Sequence, residues 1–141
     1  MPKIVTAQRV PGSRIPVYRV RAIDDLFARV YRRRGERAIR TIQHAFVTNK
    51  TATGRLFGVS RQALDLWLRD GVPPARVAEV DRVAEIAREL RKRFVAERLP
   101  SIVRAALPGL GGQSILDTIA TRGVRPVYDL LERLASYVPA A

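Results

Sequence analysis

Thr51-Ala-Thr-Gly-Arg-Leu-Phe-Gly-Val-Ser-Arg-Gln-Ala-Leu-Asp-Leu-Trp-Leu-Arg69 reads as two short helices on either side of one tight turn. Helices that cross steeply over such a turn need a small residue where they touch, a turn residue that tolerates positive φ, and apolar side chains on both inward faces. Gly54 meets the first need and Gly58 the second. Val59 is the apolar plug just after the turn, Leu64 and Trp67 form the inward face of the second helix, and Leu56 with Phe57 that of the first. The expected helices cover roughly residues 51–57 and 60–69. Asp70-Gly71 and then Pro73-Pro74 close the second, with Gly71 as a left-handed cap.

If Leu64 and Trp67 point inward, the outward face of the second helix holds Ser60, Arg61, Gln62, Asp65, Leu66 and Arg69. A helix lying in a DNA major groove presents its N-terminal residues to base edges. Ser60, Arg61, Gln62 and Asp65 are therefore the candidates for base contact. Arg61 suits guanine bidentately, Gln62 adenine and Asp65 a cytosine amino group, while Ser60 also serves as helix cap and phosphate contact. Lys50, Arg55 and Arg69 flank these and are the expected phosphate contacts, joined by Arg32, Arg33 and Arg34. The same Gly-Val-Ser corner also suits a plain helix-helix connection with a solvated outer face.

Charge points to the same half of the chain. Of 26 basic residues only Lys3, Lys50 and Lys92 are lysine, and with 13 acidic residues the net charge is +13. Arginine's planar fork matches phosphate oxygens and guanine edges. Residues 1–70 carry 15 basic and 5 acidic side chains, net +10, whereas residues 71–141 carry 11 and 8, net +3. A polyanionic partner is thus expected to meet the first half.

Upstream, two runs rich in β-branched residues flank Pro11-Gly12-Ser13, a pattern for a short hairpin that is marginal in water unless docked or paired. Lys3, Arg9 and Arg14 stud this arm, together with Arg19 and Arg21, and such arms can enter a minor groove. From Ile23, apolar residues recur at three and four: Leu26, Phe27, Val30 and Tyr31, then, past an interruption expected at Gly35, Ala38, Ile39, Ile42, Ala45 and Phe46. A long amphipathic helix is expected from Ala75 to about Arg98, its stripe including Phe94 and Val95, ended by Pro100. Short helices at 101–107, 114–121 and 127–137 follow, and Pro108-Gly-Leu-Gly-Gly112 between the first two reads as a flexible hinge.

The expected fold is mainly α: a helix-turn-helix DNA-binding bundle with a short N-terminal β-hairpin or arm and a C-terminal helical subdomain. The expected units are an arm at 1–22, the helix-turn-helix unit at 23–74, a linking helix at 75–99 and a helical subdomain at 100–141. With no run of 18 apolar residues and no secretory leader pattern, a bacterial cytoplasmic or nucleoid location is expected, or the host cytoplasm for a phage-encoded chain. Zero cysteines and one histidine, His44, leave no thiolate or His-rich metal site. His44 falls on an apolar helical stretch without an acid or serine partner in sequence, which favours a partly buried structural role. Gly109-Leu-Gly-Gly-Gln113 lacks the Lys-Ser/Thr of a phosphate loop. No enzyme activity and no cofactor are expected.

Trp67-Leu-Arg-Asp-Gly71, Leu110-Gly-Gly-Gln-Ser-Ile-Leu116 and Gly123-Val-Arg-Pro-Val127 together resemble the Xre/ParS-type antitoxins over roughly residues 50–138. The resemblance implies an Xre-like helix-turn-helix, a C-terminal helical domain, homodimerisation, capture of a toxin protein often of the RES type, and repression of the chain's own operon. Small phage immunity repressors look similar. Double-stranded operator DNA is therefore the expected partner, with a second copy or a toxin as further ones and no membrane. The closing Ala140-Ala141 is also of a kind that bacterial proteases read on mobile tails.

Overall fold

The structure, a computed structural model, describes the backbone of residues 5–9 and 16–136 and the side chains of residues 23–136. The Pro11-Gly12-Ser13 turn, the Lys3, Arg9 and Arg14 side chains and the C-terminal alanines lie outside the described residues. The described chain is mainly α-helical: α1 (Arg21–Phe46), α2 (Lys50–Leu56), α3 (Arg61–Asp70), α4 (Pro74–Arg93), α5 (Leu99–Arg104), α6 (Ile115–Arg122) and α7 (Arg125–Ser136), with a 3₁₀ turn at Pro108–Leu110. Ahead of them β1 (Val5–Arg9) pairs antiparallel with β2 (Pro16–Val20), Val5 opposite Val20 and Arg9 opposite Pro16.

α1 and α4 form the spine. Ile39, Ile42 and Phe46 of α1 and Val80, Val83, Ile86 and Leu90 of α4 are buried together, and one continuous apolar cluster joins them to Leu64 and Trp67 of α3 and to Leu99, Val103, Ile119, Val127 and Leu131 downstream. Each such aliphatic side chain contributes roughly 1.5–3 kcal/mol by leaving water.

Four expectations are corrected. α1 runs through Gly35 without a break, because the glycine is there for contact: a Cβ would sit 2.9 Å from Cγ2 of Val72. α4 ends at Arg93, with Phe94 extended and Val95 59% exposed. Arg91, Lys92 and Arg93 suit a helix C-terminus, and Pro100 fits the first turn of a new helix, α5. The Pro108-to-Gly112 stretch is packed, since Leu110 is buried and the Gly112 N–H donates to the Leu107 carbonyl at 2.9 Å. Arg122 donates to the Leu110 carbonyl as well, at 2.6 Å. His44 is exposed, on the side of α1 away from the core.

α1 stops by an unusual device. Val47 takes φ 51°, a left-handed conformation that costs a β-branched residue free energy. Thr48 N–H then reaches back to the Gln43 carbonyl at 3.2 Å. The Arg104 guanidinium, from α5, donates to the carbonyls of Phe46 and Val47 at 2.7 and 3.0 Å, satisfying groups that a helix end leaves open.

Tyr128 ties α7 to α4. Its hydroxyl donates to the Glu85 carboxylate at 2.8 Å and lies 3.1 Å from the Arg82 carbonyl. Burial, then the hydrogen bond to Glu85, pushes its phenol up to about 12 from an ordinary 10.0. A proton held more tightly in the folded state stabilises it fully below pH 10 and progressively less as pH rises from 10 toward 12. Tyr128→Phe should therefore flatten the fall in urea midpoint between pH 10 and pH 12. An unchanged alkaline slope would show that this phenol is not linked to folding.

Candidate nucleic-acid interface

The α2–α3 unit is assembled from local caps and one close approach. The Asn49 side chain accepts from Ala52 N–H at 2.8 Å to start α2, and the buried Thr53 hydroxyl donates back to the Asn49 carbonyl at 2.7 Å. At the turn, Val59 N–H donates to the Gly54 carbonyl at 2.9 Å, and a Cβ on Gly54 would lie 2.7 Å from the Val59 carbonyl oxygen. Only glycine lets the strand of chain leaving the turn pass this close. Gly58 carries the turn at φ 65°. Ser60 then caps α3, its hydroxyl oxygen accepting from Ala63 N–H at 3.1 Å.

Leu64 and Trp67 fix which side of α3 faces in. Leu64 is fully buried; the Trp67 ring packs against Phe57 with centroids 5.9 Å apart, and the Arg76 guanidinium sits 5.9 Å from the indole centroid. At the far end Gly71 has positive φ, but with φ 103° and ψ 157° it is extended, not the left-handed helical cap expected. The reason is Val72, which must enter the core directly, its carbonyl accepting the Tyr31 hydroxyl hydrogen bond.

The side chains left on the outer face differ in how free they are. Arg55, Arg61 and Gln62 are exposed and form no hydrogen bond or salt bridge among the described residues. Lys50 and Asp65, fifteen positions apart, pair at 2.6 Å across α2 and α3. The hydrogen bond from Lys50, helped by the Lys50 and Arg61 charges, holds the Asp65 carboxyl below the usual carboxylate range despite slight desolvation. Arg69 donates through Nε and Nη2 to the two Asp70 carboxylate oxygens at 3.1 and 3.0 Å. Lys50, Asp65 and Arg69 thus already have close partners in the free protein, whereas Arg61 and Gln62 form no hydrogen bond or salt bridge among the described residues.

A cleft of about 400 Å³ opens beside this face, lined by Gln43, Thr48, Asn49, Lys50, Thr51 and Arg61. Of these residues, the sequence pointed to Lys50 and Arg61 as DNA contacts. It missed Gln43, whose position on a helix flank gives no signal. Of the three consecutive arginines, Arg32 lies at the C-terminal end of α3, its Cγ 3.4 Å from where a Gly71 Cβ would sit. Arg33 and Arg34 instead line a separate groove between α1 and α4, where Arg34 pairs with Asp81 at 2.9 Å. Lys50 and Arg61 are therefore brought together at this cleft, Ser60 and Gln62 adjoin Arg61 at the start of α3, Arg55 borders a separate surface toward α6, and Arg33 and Arg34 lie in another groove.

Among the described residues no cluster of three or more His, Cys, Asp or Glu lies close enough to hold a metal ion, and no helix is long and apolar enough to cross a membrane. Comparison with protein-family models, with curated proteins and with solved structures gave no match.

Proposed function

We propose that the protein is a sequence-specific double-stranded DNA-binding transcriptional repressor that lays α3 in the major groove. The observation that carries this reading is the outer face of α3, where Arg61 and Gln62 stand exposed and unengaged beside a capped helix start. A helix about 10–12 Å across fits a groove about 12 Å wide. Arg61 then reads guanine, Gln62 adenine, and the exposed Leu66, one turn further on, meets a thymine methyl. Asp65 contacts a cytosine amino group only by leaving Lys50, so phosphate binding by Lys50 and base reading by Asp65 are coupled. Arg55 and the polar cleft at Asn49, Lys50 and Thr51 take the flanking phosphates.

The test is a salt titration of binding to the DNA upstream of the chain's own coding sequence and to a scrambled duplex. Three to five phosphate contacts correspond to a slope of log K against log salt of about −3 to −5. The upstream duplex should bind at least about a thousandfold more tightly than the scrambled one. Equal affinity for both would defeat sequence reading, and a flat salt response would defeat a phosphate-driven interface.

A further inference from the structure

The groove between α1 and α4 that takes in Arg33 and Arg34 has a chemistry which the DNA reading leaves unused. Helical spacing builds it. At about 100° per residue, Arg33, Arg34, Arg37 and Thr41 fall within about 100° of one another around α1, and Asp81, Glu85 and Arg88 within about 60° around α4. The two strips line one hollow of about 690 Å³, within the size range of small-ligand sites. The buried Ala38 also lines it, so the hollow reaches down to the core.

Four guanidiniums and two carboxylates share this hollow, and both carboxylates are already engaged. Asp81 pairs with Arg34 at 2.9 Å, and Glu85 accepts the Tyr128 hydroxyl at 2.8 Å. Arg33, Arg37 and Arg88 are exposed, and their side chains form no hydrogen bond or salt bridge among the described residues. Three unengaged arginines from two helices thus line one concave space, where the four cations and two acids leave a net positive charge. A cleft lined by one sign of charge focuses its field and gathers counter-ions of the other sign. Planar guanidinium forks match phosphate oxygens in particular. A duplex spreads its charges along each strand, about one per 3.4 Å, and lies across a hollow without filling it. A short phosphate chain brings several charges inside. We propose that the α1–α4 groove binds a small oligophosphate anion, a nucleoside triphosphate or an inorganic phosphate chain of that length, through Arg33, Arg37 and Arg88. The site does not depend on whether α3 reads DNA.

Isothermal titration calorimetry on the full chain with tripolyphosphate and with ATP, free of magnesium and at about 0.1 M salt, tests it. Each should bind saturably, one per chain. ATP binding more tightly than tripolyphosphate makes a nucleotide the ligand, and the reverse order makes it the bare phosphate chain. Arg37→Ala and Arg88→Ala should each weaken both by about tenfold or more, since each removes a charge-assisted contact. Arg37→Lys, which keeps the charge and loses the fork, should recover only part of that loss. Arg93→Ala removes the same charge from an exposed position about 140° around α4 from Arg88, and should change affinity by less than about twofold. All four positions are exposed, so the helical circular dichroism signal should be unchanged. No saturable binding, or an equal loss with Arg93→Ala, overturns the proposal. So does a hexaglutamate peptide that binds as tightly as tripolyphosphate. A scrambled duplex weakened by Arg37→Ala and Arg88→Ala as much as tripolyphosphate also overturns it, and gives the groove to the DNA backbone.

Discussion

Replacing Arg61 and Gln62 together with alanine should lower affinity for the native operator by between about 30-fold and 10⁴-fold. Each bidentate base contact is worth about 1–3 kcal/mol, and the loss is the sum of two. Affinity for scrambled DNA should fall much less, because only one positive charge is removed. Arg61→Lys sharpens the result, for it keeps the charge and loses the fork. Competition binding at fixed salt measures both numbers. If scrambled and native duplexes lose affinity by the same factor, these side chains touch backbone only and α3 does not read sequence. Both side chains are exposed and form no hydrogen bond or salt bridge among the described residues, so the thermal midpoint should hardly move.

Trp67→Ala should have the opposite signature, a loss of roughly 3–5 kcal/mol in unfolding free energy. Trp67 is 6% exposed, packs against Phe57 with the rings tilted by 52° and lies under Arg76, so its removal leaves a hole where α2, α3 and α4 meet. Against a typical total of about 5–15 kcal/mol, that leaves little margin, and DNA binding should fail through loss of the folded population. Urea unfolding gives the value, with Trp67→Phe expected to restore most of it. A loss below about 1 kcal/mol would mean that the α2–α3 corner repacks and does not fix which face of α3 is exposed.

The α2–α3 unit was readable because its determinants are local. Caps at Asn49 and Ser60, the small Gly54 and the inward pair Leu64 and Trp67 all act within about twenty residues. What escaped depends on residues far apart. Gly35 reads as a helix breaker until Val72, thirty-seven positions on, is seen to fill the space that its missing side chain leaves. Pro108-to-Gly112 has the composition of a hinge, yet Arg122 and Arg133 donate to the Leu110 and Gly109 carbonyls and hold it. The Lys50–Asp65 pair is equally invisible to spacing, and it changes two candidate DNA contacts from free groups into partners that must separate first. The stripe at Ile23–Tyr31 shows a different limit. Periodicity marked these residues as one apolar side of a helix, but it does not say whether the fold reaches far enough along that helix to bury them, and Ile23, Leu26, Phe27 and Val30 are about half exposed or more.

The meeting of α2 with α6 has a bearing on how the protein can be divided. Leu116, Asp117 and Ala120 border one shallow surface together with Arg55 and Leu56, and Arg104 holds the last carbonyls of α1. The α2–α3 unit is therefore not a portable module. A polypeptide cut before Leu99 would bare the apolar ends of α1 and α4 and remove the wall behind α2. Grafting α2 and α3 onto another scaffold would require an equivalent of α6 to travel with them.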